Sequence, residues 1–296
     1  MYVSNTDYDF AFHSVVSIRF SEFYSYTSLS VKVFVSEKLL SIAITYDADI
    51  ELSELSRMLR LLCSELANKY QVEPAIIIDD YDLPLIVSNK DNVDSCNLMK
   101  GFYSSLKGLI SFVHLVYLTG VYPPNMLGII TEHSNVFDVS ADKKNSGFVG
   151  FTEKELGPLT HTLIRPDESP SELRKWYEGY CFISESQRVY NPYPIMRFMY
   201  YKKYGRYFDY PQSSCLPSWH KPDREMLIAD DSLYVSKGNL FIKEYLTDTE
   251  KLILLLKAGY LTIDYVDKEL FYLRIPNSDV QLALNSLKGS KYETDC

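Results

Sequence analysis

The most suggestive chemistry in the 296-residue sequence lies at Ile76-Ile77-Ile78-Asp79-Asp80-Tyr81-Asp82. A continuous apolar run that ends in adjacent carboxylates is the Walker B pattern. The first carboxylate, Asp79, would hold Mg²⁺, and the second, Asp80, would orient a water for attack on a γ-phosphate. The same pattern also closes many parallel strands whose carboxylates only cap helices or face solvent. A phosphate cradle would decide between these readings, because backbone N–H groups of a glycine-rich loop and a lysine make most phosphate contacts. No GxxxxGK[ST] occurs in the chain. The first glycine is Gly101, and residues 1–14 contain neither glycine nor lysine. The residues therefore predict no catalytic group and no bound cofactor. Mg-ATP enters only if Asp79 serves as its metal ligand.

Other reactive side chains lack a constellation. His13, His114, His133, His161 and His220 show no HxxxH or HExxH spacing, so no metal site is expected. His114 lies in an apolar run and is expected as a hydrogen-bonded core residue. The five cysteines form no CxxC pair, which fits reduced thiols. Cys181, Ser184 and Ser186 lack a nucleophile-elbow context. Trp176, Tyr177 and Tyr180 are expected to pack between two domains. One basic, aromatic segment stands out: Arg197, Lys202, Lys203 and Arg206 with Tyr200, Tyr201, Tyr204 and Tyr207. It suits an acidic protein partner or, less well, nucleic acid; the plain alternative is a solvated helix face.

The elements that must position these groups follow from periodicity. Val15–Phe20 reads as a buried strand. Residues 21–50 are mixed, and their apolar pieces SVKVFV and SIAITY fit strand or helix. Over 51–70, Leu52, Leu55, Met58, Leu59, Leu62, Cys63, Leu66 and Ala67 form one helical stripe. Ala75–Ile78 suits a strand buried on both faces of a parallel sheet. A helix over 94–108 with Leu98, Phe102 and Leu106 precedes another buried strand at 110–118. Alternating strands and helices imply an α/β layer. Beyond a boundary near residue 150 the pattern becomes mostly helical. Ser169-Pro170-Ser171-Glu172 and Thr247/Glu250 read as capping boxes. Gly179 and Gly259 read as helix stops, and Asn191-Pro192 starts a helix ending near Gly205. A hairpin about Asp267-Lys268-Glu269 and a final helix capped by Asn277 or Ser278, with Val280, Leu284 and Leu287, suggest a winged-helix-like end.

A net charge of −9 speaks against a broad nucleic-acid footprint. No apolar stretch is long enough for a membrane span and no secretory start is present, so a cytoplasmic location is expected, or a host cytosol for a secreted effector.

The ordered series IIIDDYDLPLI, GFYSSLK, VYLTGV, GFTEKEL, LRKWYEGYCF, VYNPY, AGYLTI and FYLRIPNSDV resembles the bacterial AAA-ATPase-like family, whose members often carry a C-terminal PD-(D/E)xK nuclease domain. The resemblance spans residues 15–285. It implies a P-loop-NTPase-like parallel sheet over 1–150 and a helical lid-like domain over 151–296. It places Asp79 and Asp80 in the Walker B role and Thr119 at the polar sensor position. It also implies a first strand and P-loop upstream of Val15, where this chain has only residues 1–14. Asp80 stands where the family usually has glutamate, VYPPNMLG replaces its serine-rich continuation, and no nuclease pair is evident. The expectation is a degenerate, non-hydrolysing ATPase-like module that binds another protein, in the setting of a conflict or mobile-element system. The rival expectation is a segment of an active Mg-ATP-dependent ATPase.

Overall fold

A computed structural model describes residues 12–23, 28–86, 93–121, 137–140, 142–164, 169–183, 187–208, 233–236, 248–268 and 270–286. The chain divides into two compact units, residues 1–135 and 136–296, whereas the sequence pattern puts the change at 150. Among the described residues, no helix is long and apolar enough to cross a membrane.

The first unit is built on a three-stranded parallel sheet in the order β1 (Val15–Arg19), β2 (Ala75–Asp79), β3 (Leu115–Leu118). Its register pairs Arg19 with Asp79 and Ile78 with Leu118. The expected alternation is therefore present. The ambiguous stretch between β1 and β2 resolves into one 18-residue helix, α1 (Ser28–Thr45). Its Val31, Val35, Leu39 and Ala43 recur every fourth residue and are buried. α2 (Leu55–Tyr70) buries the predicted stripe from Leu55 to Leu66 and stops at Gln71, which adopts a left-handed φ of 54°. Leu52 precedes that helix and is exposed. α3 (Leu83–Ile86) is a single turn, and α4 (Val93–Leu106) buries Met99, Phe102 and Leu106. The expected strand at 110–118 is shorter: residues 110–112 form a turn, and extended pairing begins at Leu115.

The second unit has more β-structure than its sequence suggests. β4 (Phe151–Thr152) pairs antiparallel with β5 (Val189–Tyr190). α5 (Glu153–Leu163) begins with a reciprocal capping box missed in the sequence. The Thr152 N–H donates to Glu155 at 2.8 Å, and the Glu155 N–H donates to the Thr152 hydroxyl at 3.3 Å. α6 (Pro170–Tyr177) starts where predicted: Ser169 accepts from the Ser171 N–H at 3.2 Å. Glu172 does not complete the box, because its carboxylate accepts from the Trp176 indole at 3.0 Å. α7 (Pro192–Tyr201) is capped by Asn191 and ends at Lys202, earlier than Gly205. Leu156, Leu173, Tyr177, Tyr190, Ile195 and Phe198 form the core between these elements.

A second sheet has the antiparallel order β6 (Tyr234–Ser236), β8 (Leu270–Arg274), β7 (Thr262–Asp267). The predicted hairpin is β7–β8, turning at Lys268 with φ 55°. β6 was not anticipated. Thr247, Glu269 and Leu287 lie outside the described residues. α8 (Asp248–Lys257) precedes the hairpin and α9 (Ser278–Ser286) follows it. Asn277 supplies the α9 cap, accepting from the Val280 N–H at 3.1 Å.

Candidate functional site

The parallel register gathers polar groups at the C-terminal end of the first sheet. Asp79 closes β2, Arg19 closes β1, and Thr119 follows β3, held by its N–H to the Ile78 carbonyl at 2.9 Å. The Thr119 hydroxyl donates to Asp79 Oδ1 in a short hydrogen bond. Arg19 Nε lies 3.6 Å from Asp79 Oδ2. Arg19 also reaches Glu22, which in turn holds Lys38 and is kept below the usual carboxylate range chiefly by that hydrogen bond. Asp79 is thus embraced from both neighbouring strands, one contributing a hydroxyl and the other a cation.

The next residues turn sharply. Asp80 has a left-handed φ of 56°. Burial pushes its carboxyl upward; the neighbouring Asp79 charge adds to that rise, while Ser21 and Arg19 oppose it. The Tyr81 N–H donates to the Thr119 carbonyl at 3.0 Å, and the Tyr103 hydroxyl donates to the Tyr81 carbonyl at 2.7 Å. Asp82 is buried and accepts from the Val121 N–H at 2.8 Å. Burial pushes its carboxyl up to about 7, despite backbone hydrogen bonds that oppose the rise. Gly120 is required at this corner: a Cβ would sit 2.7 Å from the Tyr81 ring and 2.8 Å from Asp82 Oδ1.

Chemically, Asp79 beside Thr119 is a donor set that fits a hydrated Mg²⁺, which keeps several waters and uses one or two carboxylates plus phosphates. Asp80 is the adjacent carboxyl whose proton affinity is raised. Arg19, Ser21 and Asp82 join the site without a motif of their own. Arg19 and Ser21 become neighbours of the acidic pair only through strand register, whereas Asp82 was visible as part of the acidic run. Among the described residues no group of three His, Cys, Asp or Glu side chains gathers for a metal.

The basic, aromatic segment of the second unit divides. Tyr200 is 80% exposed, and Arg197, Lys202 and Lys203 are exposed beside it. The Arg197 guanidinium lies over the Tyr201 ring at 4.8 Å and the Tyr193 ring at 5.8 Å. Tyr204 turns inward, stacking on Phe198 at 4.6 Å and on Trp176 at 6.2 Å. Arg206 donates to the Ser286 hydroxyl at 2.6 Å. Trp176 and Tyr177 pack in the second unit's own core rather than between domains, because α6 closes on α7. Tyr180 donates to the Gly259 carbonyl at 3.2 Å.

His114 is not a core residue. It is exposed just before β3, and its ring stacks on His13 with centroids 4.2 Å apart. The apolar run that suggested burial is interrupted there by the turn. His133, His220, Ser184 and Ser186 lie outside the described residues. Cys63 and Cys181 are buried, and the Cys181 thiol donates to the Ile183 carbonyl at 2.9 Å; burial pushes the Cys63 thiol up to about 12, far from reactivity.

These observations define an α/β protein whose parallel strands gather an acidic pair and a hydroxyl at one sheet end. Residues 2–130 match the AAA-ATPase-like family, described as "Predicted AAA-ATPase". The resemblance drawn from the ordered motifs is borne out as a likeness to that family over this stretch. The chain is also similar to the "Uncharacterized protein in vnfD 5'region" of Azotobacter chroococcum mcd 1, with 25% identity over 229 residues, covering 73% of this chain and 43% of that protein. The chain thus spans less than half the length of this relative. No solved structure matches.

Proposed function

We propose that this AAA-ATPase-like chain acts as a protein-docking module and that its 296 residues do not hydrolyse nucleotide by themselves. The observation that carries this reading is the pairing of Asp79, whose two carboxylate oxygens face Thr119 and Arg19 although its side chain stays half-exposed. A guanidinium beside the carboxylate supplies the positive charge that a metal would otherwise bring. These 296 residues contain no GxxxxGK[ST] to supply a phosphate loop of that type.

Docking is supported by the exposed face of α7. Tyr193, Met196, Arg197, Met199, Tyr200 and Tyr201 are the residue types enriched at protein interfaces, and Tyr193, Met196 and Tyr200 are 47%, 53% and 80% exposed. Lys202 and Lys203 flank them, so the partner presents an apolar centre with an acidic rim.

Calorimetric titration with Mg-ATP is the first test. No binding heat is expected, and micromolar binding overturns the proposal. The second test compares partners captured from the native source by wild type and by the Met196→Ser/Tyr200→Ser variant. A partner with an acidic surface is expected to be lost with the variant; equal capture by both removes α7 from the reading.

A second reading is favoured by the Asp79–Asp80–Thr119 grouping itself. In it, the acidic sheet end is the metal half of a Mg-ATP site completed by a segment outside these residues. The same titration, repeated on a protein extended by the preceding genomic sequence, separates the two. Binding acquired only by the longer protein selects the second reading.

A further inference from the structure

Two of the ordered motifs, LRKWYEGYCF and FYLRIPNSDV, lie about a hundred residues apart in sequence, yet they meet. Gly179 has φ +118°, and a Cβ there would sit 2.2 Å from the Pro276 carbonyl oxygen. The Asn277 amide donates to the Glu178 carbonyl at 2.9 Å. Arg274 reaches the Gly179 and Pro276 carbonyls at 3.4 and 3.2 Å. The junction opens into a shallow, solvent-open cavity of about 460 Å³ whose walls carry Arg174, Lys175, Arg188 and Arg274. Neutral polar groups line it as well: Asn277 and Ser278 at the start of α9.

The charge balance of this wall is unlike that of the chain, whose net charge is −9. Four cationic side chains line the cavity and Glu178 is the one carboxylate among its lining residues. The carboxylates that hold the cations lie outside that lining. Glu153 accepts from Arg174 at 2.7 Å, and Glu172 lies 3.9 Å from Lys175. Asp264 is shared by Arg188 at 3.1 Å and Arg274 at 2.9 Å. The Arg174 and Arg188 guanidiniums are therefore fixed by these partners, while Arg274 is engaged at all three nitrogens, by Asp264 and by the Gly179, Ile275 and Pro276 carbonyls. Arg174 spends its Nε and one terminal nitrogen on Glu153, and Arg188 spends both terminal nitrogens on Asp264 and the Gly179 carbonyl. Hydrogens remain on these groups after those bonds, because a guanidinium carries five.

We infer that the cavity between α6, β8 and the start of α9 binds a small phosphorylated ligand through its phosphoryl group. Preset guanidiniums match phosphate oxygens in planar, paired geometry. The N-terminal turn of α9 adds its dipole in the same sense. The site belongs to the second unit and owes nothing to Asp79, so it is independent of the docking proposal.

The test uses the full chain and pyrophosphate without Mg²⁺, with inorganic phosphate and ionic-strength-matched sodium chloride in parallel. Pyrophosphate is expected to raise the melting temperature above the chloride control and to give a saturable calorimetric isotherm. Inorganic phosphate should do so more weakly. Arg188→Gln is expected to weaken binding at least tenfold, and Lys175→Ala several-fold. Lys175→Ala spares every hydrogen bond that holds the junction, so it remains informative if Arg188→Gln fails to fold. Lys107→Ala, exposed in the first unit and outside the cavity, should bind as wild type does. No stabilisation beyond chloride overturns the inference, and so does equal binding by the Lys175→Ala and wild-type proteins.

Discussion

Gly179 and the Pro276 carbonyl oxygen touch so closely that no other residue fits at 179: a Cβ would lie 2.2 Å from that oxygen and 3.0 Å from its carbon. The φ of +118° excludes L side chains independently. Gly179→Ala is therefore expected to cost at least ~3 kcal/mol, since strained backbone and a backbone clash add. Urea unfolding measures it. A loss below ~1 kcal/mol would mean that the Glu178–Tyr180 and Ile275–Asn277 segments are not held together as described.

The acidic end of the first sheet behaves differently. Arg19 and Asp79 are 58% and 46% exposed and 3.6 Å apart. A solvated pair of this kind contributes ~1 kcal/mol or less. Asp79→Asn and Arg19→Ala should each shift the urea midpoint only slightly, with circular dichroism unchanged. A large loss for either would make the cluster a structural clasp and remove the reason to treat it as a site.

Asp82 predicts a pH dependence of stability. Its carboxyl rises from 3.8 to about 7 on folding, chiefly through burial. Below about pH 4 both states are protonated, and the group carries no penalty. Between about pH 4 and about pH 7 the folded state keeps a proton that the unfolded chain has released, so stability falls as pH rises. Above about pH 7 the deficit is complete, up to ~4 kcal/mol for a rise of this size. Asp82→Asn retains an acceptor for the Val121 N–H and removes the titration. Urea unfolding at pH 5 and pH 8 should show a smaller drop for the variant than for wild type. Equal drops would place the burial of Asp82 in error.

Much of this arrangement was legible beforehand, and for identifiable reasons. Ile76–Asp80 announced a strand and its acidic end because an uninterrupted apolar run meeting carboxylates has few other uses. Ser169-Pro170 and Asn191-Pro192 marked helix starts because both the cap and the proline act locally. α1 was not legible: Val31, Val33, Val35 and the apolar residues after Leu39 satisfy both a two-residue and a four-residue period, and only packing on β1, α2 and α4 chooses. Arg19 could not be assigned to Asp79 from sequence, because register joins residues sixty apart. The Arg174–Arg188–Arg274 wall was hidden for the same reason, being assembled from three segments. His114 misled because residues 110–112 belong to an apolar run that suits a strand yet form the turn before one.

α7 offers an internal contrast between neighbours. Phe198 is 1% exposed and stacks between Tyr177 and Tyr204 at 5.8 and 4.6 Å. Tyr200, two residues on, is 80% exposed and touches Tyr201 edge-on at 4.9 Å. Phe198→Ala removes a buried ring and leaves a void that Tyr204 fills poorly, so a loss of ~3–5 kcal/mol is expected. Tyr200→Ser removes a ring that solvent already surrounds, and stability should stay within ~0.5 kcal/mol. If Tyr200→Ser nonetheless abolishes capture of a partner, the ring is held outward for binding rather than for folding. If instead Tyr200→Ser unfolds the chain as Phe198→Ala does, the exposed face of α7 is part of the protein's own packing and the docking proposal loses its surface.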